Sequence, residues 1–274
     1  MDINKNVVQS LSNILSVIFV ICLLFLPIGI FGQGPDILFS TDEDFFLLTI
    51  QPKDENLVEY SAGDFAISSL LPPGCLPPEV NVDALGKLGL NELAISLDED
   101  AVVGGIGLAA NEDILSFNGF NFTLWWDGSA AGLPPEVNLD ALHINSVSPK
   151  NFDFSLKEDA VLPGVGLVAD EDVIRYVEGI GFSMTLDGSS VGIPPEADVD
   201  AFAILPNTGN FVLSLEGANF LGGNLYDDAD LIEYNGSFFM FFDASLNGLP
   251  EEININAVEI LSQTEVPFWM IITH

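Results

Sequence analysis

The stretch "IPPEADVDAFAI" (193–204) occurs in four related copies along the chain. The other copies are "LPPEVNVDALGK" (76–87), "LPPEVNLDALHI" (133–144) and "LPEEININAVEI" (249–260). Counted at the residue before the shared alanine, the copies are 57, 60 and 56 residues apart, at Asp83, Asp140, Asp200 and Asn256. A near-constant period of this size is typical of an array of structural repeats.

Each repeat is predicted to contain four short strands. Apolar residues alternate with polar ones in the third repeat at Phe152, Phe154 and Leu156, and again at Phe182, Met184 and Leu186. A period of two residues indicates a half-buried strand. The four predicted strands lie in "NFDFSLKED" (151–159), "DEDVIRY" (170–176), "GFSMTLDGS" (181–189) and "VDAF" (199–202). No stretch after residue 33 has a helical period.

Four strands in about 57 residues, repeated four times, predict an all-β chain folded as a four-bladed β-propeller. The predicted propeller spans residues 36–274, with repeats at 36–90, 91–149, 150–208 and 209–262. The alternating stretch "VPFWMIITH" (266–274) is predicted to be a closing strand that shares a blade with the first strands, because exposed strand edges promote aggregation. A five-bladed ring and a stacked sandwich are alternatives that the repeats leave open.

The quoted phrase itself is predicted to join two blades. Its prolines fix φ and bias the preceding residue towards extended geometry, so "PPE" is expected to be a rigid extended connection. The "VDAF" segment is expected to be the innermost strand of the next blade, where a small alanine suits the crowding near the axis.

The repeats resemble two groups of propeller proteins. Over residues 36–274 they resemble the "DEDIVRY…FDGSDVGL…DIDAF" repeats of uncharacterised exported bacterial proteins, which carry no established activity. The Asp-Ala pairs also resemble those of the hemopexin-type propeller, whose matching pairs open each blade beside a central channel that holds cations. The second resemblance implies a metal site at Asp83, Asp140, Asp200 and Asn256.

The charge of the chain limits its partners. It has 6 Lys and Arg residues against 41 Asp and Glu residues, a net charge of −35. This excludes general nucleic-acid binding, which needs clustered cations, and disfavours docking on anionic lipid. The plausible counter-ions are metal cations, a basic partner or a salty medium.

Acidic residues recur at the predicted strand ends, as in "DED" at 42–44, 98–100 and 170–172. Oxygen-rich clusters suit Ca²⁺, which takes six to eight oxygen ligands. The alternative is that these acids keep the strand ends solvated. For the predicted ring of Asp83, Asp140 and Asp200, three like charges close together are costly unless a cation or backbone N–H groups compensate them.

The N-terminus predicts export. The segment "ILSVIFVICLLFLPIGIFG" (14–32) has nineteen residues without a charge and follows Lys5. Residues 1–32 are therefore predicted to be a helical signal peptide or an N-terminal membrane anchor. Either form predicts a secreted or cell-surface protein that meets a membrane only through residues 14–32, if these are not cleaved.

The sequence favours a binding module over an enzyme. The only histidines are His143 and His274, and Cys75 is the only cysteine after the N-terminal segment, so a zinc site or a catalytic triad is not expected. We predict a non-enzymatic cell-surface module that binds a protein or polysaccharide. The alternatives are a carboxylate-dependent hydrolase of extracellular polysaccharide, whose acid pair would normally break the repeat symmetry, and a membrane-tethered matrix protein.

Overall fold

The repeated phrase leads into the innermost strand of each of four small sheets. The computed structural model describes residues 35–262, apart from residues 48 and 251. The strands of the four sheets are β1 (Asp36–Thr41), β2 (Val58–Ser61), β3 (Asp64–Ile67), β4 (Val82–Gly89), β5 (Glu92–Leu97), β8 (Ile114–Phe117), β9 (Phe122–Trp126), β10 (Leu139–Val147), β11 (Lys150–Leu156), β14 (Val173–Val177), β15 (Gly181–Leu186), β16 (Ala201–Ile204), β17 (Phe211–Ser214), β20 (Leu231–Tyr234), β21 (Phe238–Phe242) and β22 (Ile255–Ser262).

The four sheets form a four-blade propeller arrangement, which confirms the predicted architecture. The first blade has the strand order β22-β1-β2-β3, the second β4-β5-β8-β9, the third β10-β11-β14-β15 and the fourth β16-β17-β20-β21. Neighbouring strands within each blade are antiparallel. The innermost strands β4, β10, β16 and β22 contact one another around the axis.

The first and last described strands share a blade. In the register between β22 and β1, Val258 lies opposite Phe39 and Ala257 opposite Ser40. The ring therefore closes through the fourth copy of the quoted phrase. The predicted closing strand at 266–274 and the predicted signal peptide or anchor at 1–32 lie outside the described residues. Among the described residues, no helix has the length and apolar character needed to cross a membrane.

An apolar cluster fills each space between neighbouring blades. The cluster that joins the first and fourth blades contains Phe39 and Tyr60 from one side and Val212, Leu231 and Phe242 from the other. The ring of Tyr60 lies 4.9 Å from that of Phe242. Burying one such side chain stabilises the fold by about 1.5–3 kcal/mol, so these clusters hold the ring closed.

Three blades carry an additional hairpin that the strand pattern did not predict. The hairpins are β6 (Ala101–Val103) with β7 (Gly107–Ala109), β12 (Ala160–Leu162) with β13 (Gly166–Val168), and β18 (Asn219–Leu221) with β19 (Asn224–Tyr226). Each lies between the second and third strands of its blade. Their strands have three residues each, too few for an alternating pattern to identify them.

The prediction of an extended "PPE" connection was wrong. In the first copy the N–H of Val80 donates to the carbonyl of Pro77 at 3.2 Å, and Val137 donates to Pro134 in the second copy at 3.3 Å. Pro78 thus occupies the second position of a β-turn. Its fixed φ of about −65° suits that position as well as it suits an extended chain, so the turn is the favoured geometry.

One-turn helices follow the outermost strands of three blades: α1 (Gly128–Ala131), α2 (Gly188–Val191) and α3 (Ala244–Asn247). Asp127 caps the first of them by accepting a bond from the N–H of Ala130, and Gly132 ends it at a φ of 108°. The equivalent caps are Asp187 with Gly192 and Asp243 with Gly248. Four residues are too few to show a helical period, so the sequence did not predict these helices.

Candidate metal centre

Bulges in three of the innermost strands place Asp83, Asp140 and Asn256 as extra residues. In the pairing of β4 with β5, Val82 lies opposite Leu97 and Ala84 opposite Ser96, which leaves Asp83 as the extra residue. Asp140 and Asn256 are the extra residues in the same position of β10 and β22. A bulge re-aims the side chain of the extra residue, and such bulges are common beside functional sites.

The four predicted ligands lie in one buried cluster. Asp83, Asp140, Asp200 and Asn256 are all 4% exposed or less. Oxygen atoms of Asp140, Asp198 and Asp200 lie within 4.8 Å of one another. Asn256 Nδ2 donates to Asp83 Oδ1 at 3.4 Å, which links the remaining two predicted residues.

A second set of side chains, which was not predicted from the sequence, lies two residues earlier in the chain in each repeat. These are Asn81, Asn138, Asp198 and Asn254, of which the first three are buried. Asn138 Nδ2 donates to Asp83 Oδ2, and Asn254 Nδ2 donates to Asp200 Oδ2 at 3.0 Å. The signal was present in the quoted phrase, since residues two apart in extended chain lie on one face. Reading "VNVD", "VNLD", "ADVD" and "ININ" with that spacing would have found them.

Several oxygens of this cluster are buried and accept no hydrogen bond within the described part of the chain. They are the Oδ1 atoms of Asn138, Asp198, Asn254 and Asn256 and both carboxylate oxygens of Asp140, whose carboxyl group faces those of Asp83 and Asp198 at hydrogen-bonding range. A buried polar atom without a partner costs about 1–3 kcal/mol. All six atoms are oxygens, which is the donor type that Ca²⁺ selects. The residues present therefore fit a hard cation.

The protonation of the cluster reflects its burial and its charge. Burial, and then repulsion by Asp83, Asp198 and Asp200, hold the pKa of Asp140 well above its ordinary value. Burial also raises the pKa of Asp83 to about 6 and that of Asp198 to about 7. The pKa of Asp200 is raised well above its ordinary value by burial and by Asp198. Charged forms are disfavoured here unless a cation compensates them.

Lys157 is the cation that the chain itself supplies to this cluster. Its amine lies 4.0 Å from Asp140 Oδ1. Burial lowers the pKa of Lys157, but attraction by Asp140, Asp83, Asp198 and Asp200 outweighs it, so that the pKa is raised overall. One lysine faces four carboxyl groups, which leaves room for a further positive charge.

Other acids at strand ends have a structural role. Asp172 Oδ1 accepts from the N–H of Gly188 at 2.9 Å, and its Oδ2 accepts from Ala169 at 3.1 Å. Asp113 and Asp230 bind the equivalent backbone groups in their own repeats. These carboxylates fasten the turn before the third strand to the start of a one-turn helix. They are thus neither simple solvating groups nor part of the central cluster.

A second acidic group lies on the surface, where Asp44, Asp54 and Glu55 place oxygens within 4.8 Å of one another. Lys53 pairs with Asp44 in this group. Its acids are exposed or half-buried, unlike those of the central cluster. His143 lies on β10, three residues after Asp140; burial lowers its pKa to about 4, so its ring is neutral at pH 7.

Comparison with known proteins identifies no family. No family model and no curated protein matches the chain. Two crystal structures of the extracellular domain of BT4673 from B. thetaiotaomicron, described as a candidate hybrid two component system or one component system, are similar with a TM-score of 0.32 and 11% identity. Each similarity covers 75% of this chain, which spans 27% or 28% of theirs. At so low a TM-score neither similarity indicates a function, and the hemopexin resemblance stays a prediction.

Proposed function

We propose that this protein is an exported, non-enzymatic binding or cell-surface module whose propeller is stabilised by one Ca²⁺ ion at its centre. The observation that carries the proposal is the group of buried oxygens without hydrogen-bond donors around Asp140, beside Asp198 and Asp200. These atoms come from at least three innermost strands or the residues just before them. A cation bound among them would tie several blades together at the axis.

The donor set favours Ca²⁺ over the other common protein metals. Every candidate ligand atom is a carboxylate or amide oxygen, whereas zinc prefers nitrogen and sulfur ligands. Mg²⁺ demands a near-ideal octahedron and usually keeps several waters, which a buried cluster of side chains does not suit. A divalent ion together with Lys157 would leave one negative charge on the four carboxylates.

Two features support a module without catalysis. Asp83, Asp140 and Asp200 occupy equivalent positions in their repeats, and only Asp198 departs from the asparagine of the other repeats, while a glycosidase needs one distinct pair of carboxyl groups on either side of a sugar. Asp140 and Asp200 are also only 1% and 2% exposed, so a polymer has little access to them. Export is supported by the uncharged segment 14–32, and extracellular modules typically bind Ca²⁺ with dissociation constants of about 10⁻⁴–10⁻³ M.

Thermal unfolding of the purified full-length protein in EDTA and in Ca²⁺, at fixed ionic strength, tests the calcium centre. A hundredfold excess of Ca²⁺ over its dissociation constant should stabilise the fold by about 2.7 kcal/mol. The Asp140→Asn/Asp200→Asn variant should lose this difference, and Asp44→Asn, in the exposed acidic group, should keep it. A melt of the unaltered protein that does not respond to Ca²⁺ would overturn the proposed centre.

Export is tested separately. Protease added to intact cells that express the protein should digest it if the propeller lies outside the membrane. Full protection in intact cells, with digestion after lysis, would contradict a secreted or cell-surface location.

A further inference from the structure

A pocket of about 330 Å³ opens where the outer part of the second blade meets the third. Trp125 and Trp126 at the end of β9 line it together with Tyr176 of β14 and Lys150 at the start of β11. Asp127, the cap of α1, completes the polar rim. This volume is at the lower end of the range for small-molecule sites, about 300–1,000 Å³.

The floor of the pocket is a rigid group of aromatic rings. The ring of Trp126 lies 5.2 Å from that of Tyr176 and 5.0 Å from that of Phe152. Trp125 also packs on Phe152, at 5.6 Å. Trp126 and Phe152 are buried, while Trp125 and Tyr176 are half-buried. The half-buried rings therefore pack on buried rings below them, which limits the freedom that they would lose when a ligand binds.

The indole N–H of Trp126 lacks an acceptor. Trp126 is 5% exposed, and its Nε1 atom has no hydrogen-bond partner among the described residues. A buried indole N–H usually finds one, since leaving it unpaired is costly. Trp126 lines the pocket with its ring, but its Nε1 atom is closed to solvent, so an oxygen of a bound ligand would reach this N–H only after a neighbouring side chain moves.

The pocket breaks the symmetry of the repeats. The residues equivalent to Trp125 and Trp126 are Thr185 and Leu186 in the third repeat and Phe241 and Phe242 in the fourth. Gly209, at the start of the fourth repeat, stands in place of Lys150. The backbone of the repeat thus does not require two tryptophans and a lysine at these positions. Residues that depart from a symmetric scaffold at one place are expected where a specific function has been added to the fold.

We propose that the Trp125 pocket is the ligand site of this module and that its ligand is a neutral saccharide. This inference rests on the proposed binding function and names the chemical class of its ligand. The apolar C–H face of a pyranose ring would stack on Trp125, whose π face is negative and attracts C–H groups. After a neighbouring side chain has moved, the N–H of Trp126 would donate to a sugar oxygen.

The polar rim suits sugar hydroxyl groups. Lys150 Nζ now lies 5.5 Å from the centre of the Trp125 ring, and on binding it would move aside to donate to a hydroxyl. Asp127 would accept from another hydroxyl, while its Oδ1 keeps the cap on the N–H of Ala130 at 2.8 Å. One positive and one negative group leave the rim without net charge, which favours a neutral sugar over a uronate or an amine.

Calorimetric titration of the calcium-loaded full-length protein with cellohexaose, laminarihexaose and maltohexaose tests the site. At least one of these neutral hexasaccharides should bind in the micromolar to millimolar range. Trp125→Ala should weaken its affinity at least about tenfold, a hot-spot effect, and Trp125→Phe less. Phe120→Ala is the matched control, because this aromatic residue is 88% exposed in the turn between β8 and β9 but lies outside the pocket.

The outcomes separate this inference from the proposed function. A protein whose melt responds to Ca²⁺ but which binds none of the three sugars would overturn the saccharide site and leave the calcium module standing. Binding that survives both Trp125→Ala and Lys150→Ala would show that the sugar binds elsewhere. Thermal unfolding of each variant in Ca²⁺ first establishes that the variant folds. Trp126→Phe, which keeps an aromatic ring but removes the indole N–H, provides a second test if Trp125→Ala does not fold.

Discussion

The amine of Lys157, at the end of β11, lies 4.0 Å from a carboxylate oxygen of Asp140, a side chain that is 1% exposed. The equivalent residues in the neighbouring repeats are acidic, Asp98 and Glu216. Lys157 is thus a tethered cation placed where the repeat pattern would supply another carboxylate. It partly compensates the central acids and would also compete with a metal ion for them.

We expect Lys157→Met to destabilise the metal-free protein by about 1 kcal/mol, because half-exposed ion pairs contribute little more than this. The same change should tighten Ca²⁺ binding about five- to tenfold, since a competing charge has been removed. Calorimetry and melts in EDTA measure the two effects. Lys53→Met, which breaks the exposed pair with Asp44, is the control and should leave calcium affinity unchanged. Weaker calcium binding in Lys157→Met would contradict this role.

The metal-free protein should lose stability as the pH rises from about 4 to 7. The pKa of Asp83 is raised to about 6 and that of Asp198 to about 7, so the folded state binds more protons than the unfolded state across this window. For Asp83 alone the effect is on the order of 3 kcal/mol. The contribution of Asp83 and Asp198 to the stability of the fold is complete below pH 3.8, their pKa in the unfolded chain. It is lost as the pH rises through their raised pKa values of about 6 and about 7.

His143 acts in the opposite direction, because its lowered pKa of about 4 makes the fold lose stability as the pH falls below 6.5. Melts at pH 5 and pH 8 in EDTA and in Ca²⁺ separate the two contributions. The proposed Ca²⁺ ion would bind the deprotonated centre, so the fall in stability between pH 5 and pH 8 should be smaller in Ca²⁺ than in EDTA. Equal falls would indicate that the titrating acids are not the calcium ligands.

Asp172→Ala should destabilise the protein by about 2–3 kcal/mol with no change in its calcium response. The substitution leaves the N–H groups of Gly188 and Ala169 without their shared acceptor in a buried turn. Asp159→Ala, at an exposed acid of the same blade, should stay within about 0.5 kcal/mol of the unaltered protein. Urea unfolding in EDTA and in Ca²⁺ measures both values. Equal effects of the two substitutions would mean that Asp172 only solvates the strand end.

Arg175→Met should cost about 3 kcal/mol, because it leaves the charge of Asp153 buried with only the hydrogen bonds from Thr185 and Asn145. Arg175 donates to both oxygens of Asp153, at 2.9 and 2.8 Å, and Asp153 is fully buried. The repeats on either side carry Ala94 and Val212 at the equivalent position. The Arg175→Met/Asp153→Val variant should recover part of the lost stability in urea unfolding, because it removes the buried charge but leaves Thr185 Oγ1 and Asn145 Nδ2 without their acceptor. A double variant as unstable as the single one would show that the pair is required for packing.

Part of the candidate centre was readable from the repeats. Asp83, Asp140, Asp200 and Asn256 were predicted from their repeat positions and from the resemblance of the Asp-Ala pairs to those of the hemopexin-type propeller. Asp198 was missed because it lies before the predicted strand, in a segment interpreted as a connection. Lys157 was missed because its position in "KED" (157–159) indicates only that it lies at the end of a strand. The local sequence does not show which carboxylates lie near that strand end.

The sequence by itself determined the local pattern: four strands to a repeat, the position of the innermost strand and the residues that face one side of it. These follow from the two-residue period of extended chain and from turn residues, which act over a few positions. Only the tertiary structure decided that Asp140 of the third blade meets Asp198 and Asp200 at the fourth, and that Lys150 of the third blade reaches Trp125 of the second. Closure of the ring sets such contacts, and no local period encodes which side chains from different blades will meet.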